Sequence, residues 1–472
     1  MPVNHVSTRG SAPALGFVDV LLAGLASDGG LYVPRTWPQI GPAEIAGLAG
    51  RPYDEAATRV IRPFVGGEID DQALAAMCRD AYARFSHPAV APLVQIGANE
   101  WVLELFHGPT LAFKDLAMQL LARLIDHALA MRHARATIVG ATSGDTGGAA
   151  IEAFRGKNNI DVFILFPHGR VSDVQRRQMT TTGDPNVHAI AIEGSFDDCQ
   201  AIVKQLFADR ELRTRLSLAG VNSINWARIV AQIVYYFTAA VSLGAPARQI
   251  DFAVPTGNFG DIFAGYAAKR MGLPVGRLVV ATNRNDILVR ALATGRYEVA
   301  AAVPTRSPSM DIQVSSNFER LLFEASGRDS DAIRRTMGAL AEKGGFTLAP
   351  DTLARINADF AAGSADEAQT LATIRRMSEE CGLTVDPHTA VGLAVARRHV
   401  RAEAPMVTLA TAHPAKFPDA VAEATGKRPA LPSRLAGLME AKETYPRLAK
   451  DFGAVREFVL SHARALRAEE KT

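Results

Sequence analysis

Residues 137–148 read Thr-Ile-Val-Gly-Ala-Thr-Ser-Gly-Asp-Thr-Gly-Gly, and this stretch decides the fold class. Thr137–Ala141 is a short β-branched and apolar run, which predicts a buried strand. A polar glycine loop follows, then a helix expected from Gly147. The same alternation recurs downstream. Strands are expected at Asp161–Phe166, Val187–Ile192, Asp251–Pro255, Leu278–Ala281 and Met406–Ala412. Helices are expected at Val171–Thr182, 261–272 and His388–Val400. Short apolar runs separated by helical patterns predict an α/β fold with parallel sheets. In such sheets ligands sit beyond the carboxyl ends of the strands, so the loops there carry the functional reading.

The rest of the chain frames that core. Residues 1–90 carry Gly and Pro punctuation between short helical patterns, which predicts an N-terminal domain without a parallel sheet. Residues 91–425 are expected to form the α/β core of two subdomains, and 426–472 a helical extension packing back on it, helical mainly over 445–466. Between 325 and 385 the sequence offers two helices, 349–362 and 366–380, and no motif. Lys+Arg 51 against Asp+Glu 49 gives no basic stripe for nucleic acid. The three cysteines, Cys78, Cys199 and Cys381, form no CxxC pair, which argues against disulfides and zinc and for a cytoplasmic setting. The N-terminus lacks a basic region before its apolar stretch, and no uncharged run reaches the roughly 18 residues needed to span a bilayer. No HExxH or related histidine spacing occurs, so no metal is expected.

Residues 105–115, Leu-Phe-His-Gly-Pro-Thr-Leu-Ala-Phe-Lys-Asp, place Gly108-Pro109 after a strand. Beyond them Ala117, Leu120, Leu121, Leu124, Ile125 and Ala128 follow the spacing of a buried helical face, so Lys114 falls at the helix start. The positive end of the helix dipole and partial burial both lower the pKa of a lysine there and free a nucleophilic amine. Taken alone, the segment favours a solvated lysine at a helix N-terminus, the commoner fate of that residue. In the loop 140–148 the small residues let backbone N–H groups converge on an oxyanion, with hydroxyls of Thr142, Ser143 and Thr146 beside them. A plain turn with Asp145 as N-cap is the alternative. Pro255-Thr-Gly-Asn-Phe-Gly-Asp261 is a second such loop, with Gly257 and Gly260 permitting close approach but no Lys or Arg of its own. Thr411-Ala-His-Pro-Ala-Lys-Phe417 closes the last strand. Thr411 can offer a hydroxyl to a pyridine nitrogen, Lys416 rivals Lys114 as a Schiff-base lysine, and His413 is left out of the site as more simply structural.

Taken in order, these segments resemble the threonine synthase family, of the long microbial and fungal type. The likeness runs along most of the chain: Ser7–Gly10, Asp28–Pro34, Phe106–Asp115, Ala141–Gly147, Asn222–Asn225, Gly257–Asp261, Ser307–Arg320 and Thr411–Phe417. The resemblance implies the tryptophan-synthase-β-like fold, fold type II of the pyridoxal-phosphate enzymes, with pyridoxal 5'-phosphate as cofactor. It implies Lys114 as the cofactor-bearing lysine, Gly257, Asn258, Phe259 and Asp261 around the cofactor phosphate, and Thr411 at the ring nitrogen. It implies Ser143 and Thr146 as holders of the substrate anion, and O-phospho-L-homoserine as the substrate converted to L-threonine. A phospho-lyase giving a 2-oxo acid would share these residues, and a cofactor-binding regulator without catalysis would share most of them. A monomer or homodimer, with neither nucleic acid nor membrane as partner, is expected. Gly148 stands where the family more often has alanine.

Overall fold

The computed structural model describes residues 3–220 and 222–464. Two sheets dominate it. The larger has six strands in the order Phe360–Ser364, Val275–Thr282, Ile250–Pro255, Met406–Ala410, Glu100–Glu104 and Leu93–Gln95. Every pairing in it is parallel except the last, where Leu93 lies opposite Leu103 antiparallel. The second sheet is parallel throughout, in the order Arg447–Ala449, Val187–Glu193, Ile160–Pro167, Ala136–Ala141 and Leu218–Ala219. All residues of Ile160–Pro167 are buried, as expected of a parallel strand covered on both faces, and this is why Val162–Pro167 is a continuous apolar run.

Helices Lys114–Met131 and Trp226–Ser242 pack on each other and are buried round most of their circumference. Trp226–Ser242 reads as apolar on most sides for that reason, whereas Lys114–Met131 keeps Arg123, Asp126 and His127 on a half-buried side. The N-terminal region covers them. Its strands His5–Ser7 and Tyr32–Pro34 pair antiparallel, and its helices Tyr53–Val65 and Asp71–Tyr82 lie against those two long helices. The Trp226 indole is the anchor there, with the Phe64 ring edge-on at 5.8 Å and Trp37 at 6.0 Å. Asp70 caps its helix by accepting from the Gln72 and Ala73 amides.

The structure departs from the sequence reading in four places. The helix expected over 349–362 ends at Asp359, and Phe360–Ser364 is an edge strand with Phe360 opposite Leu278. Phe-Ala-Ala-Gly-Ser has little intrinsic strand preference, so pairing with a neighbour decides its state. The helix expected from Gly147 begins at Asp145, with Gly144 rather than Asp145 at the cap. The last core strand stops at Ala410, leaving Thr411 in the loop. In the tail, Phe452–His462 is helical, but Arg447–Ala449 is a strand that extends the second sheet. The expected helical stretch past residue 464 lies outside the described residues. No helix among them is long and apolar enough to cross a membrane.

Candidate active site

Four chain segments meet between the sheets: the start of helix Lys114–Met131 and the loops after Ala136–Ala141, Ile250–Pro255 and Met406–Ala410. They surround a cavity of about 1520 Å³. Lys114, Ser143, Thr146, Gly257, Asn258, Phe259, Asp261 and Thr411 all line it.

The turn ahead of Lys114 is built by backbone proximity. A Cβ on Gly108 would stand 2.4 Å from that of Asp115, so only glycine fits. The buried Asp115 carboxylate accepts from the Thr110 amide at 2.7 Å and its hydroxyl at 2.6 Å. Lys114 then becomes the first helical residue, its side chain 11% exposed. Burial lowers its pKa below that of an ordinary lysine; Asp145, with Oδ2 3.8 Å from Nζ, opposes this, and the cations of Lys416 and Arg228 add to it. The rival lysine is occupied elsewhere. Lys416 is fully buried, and its Nζ binds Asp145 Oδ1 at 2.7 Å and the Thr110 carbonyl at 2.8 Å. Lys114 lines the cavity and Lys416 does not.

In the loop after Ala136–Ala141, Thr142 turns inward. Its Oγ1 accepts from the amides of Gly144, at 3.0 Å, and Gly147, at 2.9 Å, so this hydroxyl ties the loop together. Ser143 is exposed and Thr146 half-buried, both on the cavity wall. Asp145 is buried, not a solvent-side cap, and Gln175 Nε2 donates to its Oδ1 at 2.8 Å. Burial opposes its ionisation, but Lys416 and Lys114 override that and hold the carboxyl well below the usual carboxylate range.

The loop after Ile250–Pro255 is shaped by backbone contact. Phe259 has φ 63°, in the left-handed region, and a Cβ on Gly257 would stand 2.7 Å from the Ser309 carbonyl oxygen. Segment 307–320 braces it: Ser315 Oγ donates to the Gly257 carbonyl at 2.7 Å, and the Asn317 amide and Nδ2 each donate to the Asn258 carbonyl at 3.0 Å. The Asp261 carboxylate faces Tyr235 and Tyr236, whose hydroxyls donate to Oδ1 at 2.5 and 3.0 Å, while Oδ2 is buried without a partner. Burial pushes this carboxyl up to about 6. Thr411 is held by its backbone: its amide donates to Thr389 Oγ1 at 3.2 Å and its carbonyl accepts from Phe113 N at 2.8 Å. That leaves the hydroxyl to the cavity.

Three neighbours were not singled out from sequence. Asp145 enters the sequence reading only as the N-cap of the alternative plain turn. His388 lines the cavity, receives the Ser309 amide on Nε2 at 3.2 Å and faces Asp386 Oδ2 through Nδ1 at 2.7 Å, an arrangement that puts the ring proton on Nδ1. Arg228 lines the cavity with its Nε buried and unpartnered, no carboxylate among the described residues pairs with it, and burial pushes it down to about 10. A lone arginine within the apolar run Trp226–Phe237 was the available signal. A buried cation without a counter-charge is costly, so such a cavity suits a ligand that brings anionic groups. The glycine cradle, the amine of lowered pKa and the uncommitted hydroxyl at Thr411 complete a site that fits a phosphorylated pyridine aldehyde.

A lysine at a helix start facing glycine cradles between two largely parallel sheets defines a fold type II pyridoxal-phosphate enzyme. Comparison with known proteins narrows the class. Residues 4–82 match the family model for the threonine synthase N terminus, 87–359 that for pyridoxal-phosphate dependent enzymes, and 389–459 that for the threonine synthase C-terminal region. The chain is 55% identical to threonine synthase of Pseudomonas aeruginosa, over 98% of each chain. It is 41% identical to that of Saccharomyces cerevisiae, over 88% of each. The solved pyridoxal-phosphate-bound threonine synthase of Brucella melitensis superposes with a TM-score of 0.97 at 60% identity, covering 98% of this chain and all of that one (100%). The chain belongs to the threonine synthase family, and pyridoxal phosphate is its cofactor.

Proposed function

We propose that the protein converts O-phospho-L-homoserine and water to L-threonine and phosphate, with Lys114 as the cofactor lysine. The observation that carries this reading is the pairing of a buried, pKa-lowered Lys114 with an uncompensated buried Arg228 on one cavity wall. Bound pyridoxal phosphate supplies the electron sink for carbon acids next to the substrate amine. Backbone groups of Gly257, Asn258, Phe259 and Asp261 hold its phosphate, and the Thr411 hydroxyl meets its ring nitrogen without a full charge. Arg228 neutralises the substrate phosphate before it departs from Cγ. Ser143 and Thr146 hold the substrate carboxylate. Released Lys114 takes the Cα proton and then a Cβ proton, which a permanently charged ammonium could not do. Phosphate loss from Cγ, protonation there and water addition at Cβ complete the balance to threonine.

The test is product analysis. Holoenzyme incubated with O-phosphohomoserine should release threonine and phosphate in equal amounts; a 2-oxo acid with ammonia would make it a phospho-lyase instead, and no turnover would make it a cofactor-binding regulator. Lys114→Ala should abolish both turnover and the borohydride-trapped cofactor adduct. An adduct on Lys416 would overturn the assignment.

A further inference from the structure

Lys416 is a cation with no exposed surface, outside the cavity wall, in a protein whose proposed chemistry uses a different lysine. Removing an ammonium from water is costly unless close partners restore the interaction. Its partners are the Asp145 carboxylate at 2.7 Å and the Thr110 carbonyl at 2.8 Å. With Gln175 Nε2 also on Oδ1 at 2.8 Å, that oxygen is taken, and Oδ2 is the one that faces Lys114 Nζ at 3.8 Å. Three separate elements bring these groups together. Lys114 opens helix Lys114–Met131, Asp145 opens helix Asp145–Phe154, and Lys416 ends the turn Pro414–Lys416 after the last core strand.

We propose that Lys416 is a positioning residue which, by holding Asp145 in place as one half of a neutral pair, keeps that carboxylate from capturing Lys114 as a fixed ammonium. The proposal rests on Lys114 being the cofactor lysine. Five charged groups act on Lys114: Asp145, Lys416, Arg228, Asp115 and, from the far loop, Asp261. Asp115 is held by Thr110, Asp261 by two tyrosine hydroxyls, and Arg228 has no carboxylate partner among the described residues, so the Lys416–Asp145 pair is the close ion pair that acts on Lys114. With Lys416 absent, Asp145 would keep a negative charge within reach of Nζ and would draw Lys114 into a closer pair. The amine would hold its proton to higher pH, in the free form and in the Schiff base with the cofactor. With Asp145 neutral, Lys416 would stand as an unbalanced cation nearby and the proton would leave at lower pH. Lys416 touches neither substrate nor cofactor in this account; its effect reaches the reaction through Asp145.

The experiment is a pH titration of the visible absorbance of the holoenzyme, which reads protonation of the Schiff base without turnover. Lys416→Met should move the midpoint upward by about one pH unit, a tenfold change in the protonation equilibrium. Asp145→Asn should move it downward. The double variant, which removes both charges, should return toward wild type; a role confined to folding would not shift the two single variants in opposite directions. An unmoved midpoint in folded Lys416→Met, or shifts of one sign in both single variants, overturns the proposal. If Lys416→Met does not fold, Asp145→Asn decides, and an unmoved or raised midpoint there is equally fatal. Borohydride trapping is done first on each protein. Cofactor on another lysine refutes the functional reading, whereas cofactor on Lys114 with unmoved midpoints refutes only the role of Lys416.

Discussion

The loops after Ala136–Ala141 and Ile250–Pro255 have the same grammar, a parallel strand, a glycine turn and a helix with an aspartate in its first turn, yet they work by different physics. In the first, the aspartate is an ion between two lysines, and the turn is tied by the Thr142 hydroxyl. In the second, the aspartate turns to two tyrosine hydroxyls, and the loop is shaped by carbonyls of Gly257 and Asn258 fastened to the 307–320 segment. One loop is organised by charge and the other by fit. A glycine turn read from sequence therefore says where a ligand can approach, not what force will hold it.

The comparison breaks most visibly at Gly257. If the second loop works by fit, Gly257→Val should weaken cofactor binding more than a hundredfold, because the blocking atom is the Ser309 backbone carbonyl and cannot swing aside. Cofactor titration of the apoprotein by fluorescence checks this. Wild-type affinity in a folded variant would show that the loop tolerates bulk and is not a cradle.

The two aspartates should also respond oppositely to pH. Burial raises the native Asp261 carboxyl to about 6, above its unfolded value near 3.9. The native state thus binds this proton more tightly than the unfolded chain does. The stabilisation is complete below about pH 4 and is lost as pH rises through about 6. Asp145, held well below the usual range, contributes stability above the unfolded carboxylate pKa that is lost on acidification. Asp261→Asn keeps an oxygen to accept from Tyr235 and Tyr236 but cannot titrate. Relative to wild type it should gain on the order of 2–3 kcal/mol between pH 4 and pH 7 in urea unfolding of the apoprotein. Parallel pH profiles for the two proteins would show that Asp261 is not a buried titrating group, and the contrast between the loops would lose its electrostatic half.

How much of this was written in the sequence follows the range of the interactions. Strand cores such as 161–166 and 251–255 were legible because burial on both faces leaves a local apolar run. The eight residues brought to one cavity were legible because each sits in a short loop or the first turn of the helix that follows it, where glycines and hydroxyls mark the segment. Phe360–Ser364 was not, since its state depends on a partner strand distant in the chain. Asp145 was not legible as a site residue, because its place ahead of a helix suggests at most a cap, while its partners Lys416 and Gln175 come from other elements. Arg228 was overlooked although a charge in an apolar helix is a local signal; its importance lies in having no counter-charge, which only the folded surroundings reveal.

The smallest effect is expected at Gly148, and it sharpens the comparison from within the first loop. Gly147 and Gly148 are adjacent helical residues and look interchangeable. A Cβ on Gly147 would stand 2.4 Å from Thr142 Cγ2 and 2.8 Å from Ile164 Cγ2, against the side chain that ties the turn. A Cβ on Gly148 would meet nothing closer than Gln178 Cβ at 3.8 Å, an ordinary contact. Only the first glycine is demanded by the fold. In a helix interior, alanine is favoured over glycine by roughly 0.5–1 kcal/mol, because it loses less backbone freedom on folding. Gly148→Ala should therefore raise the urea midpoint by that margin with an unchanged slope and unchanged cofactor affinity. A loss of stability would mean that helix Asp145–Phe154 lies closer to Gln178 and Met179 than these distances indicate. A change in cofactor affinity would mean that Gly148, not only its neighbour, belongs to the ligand-holding turn.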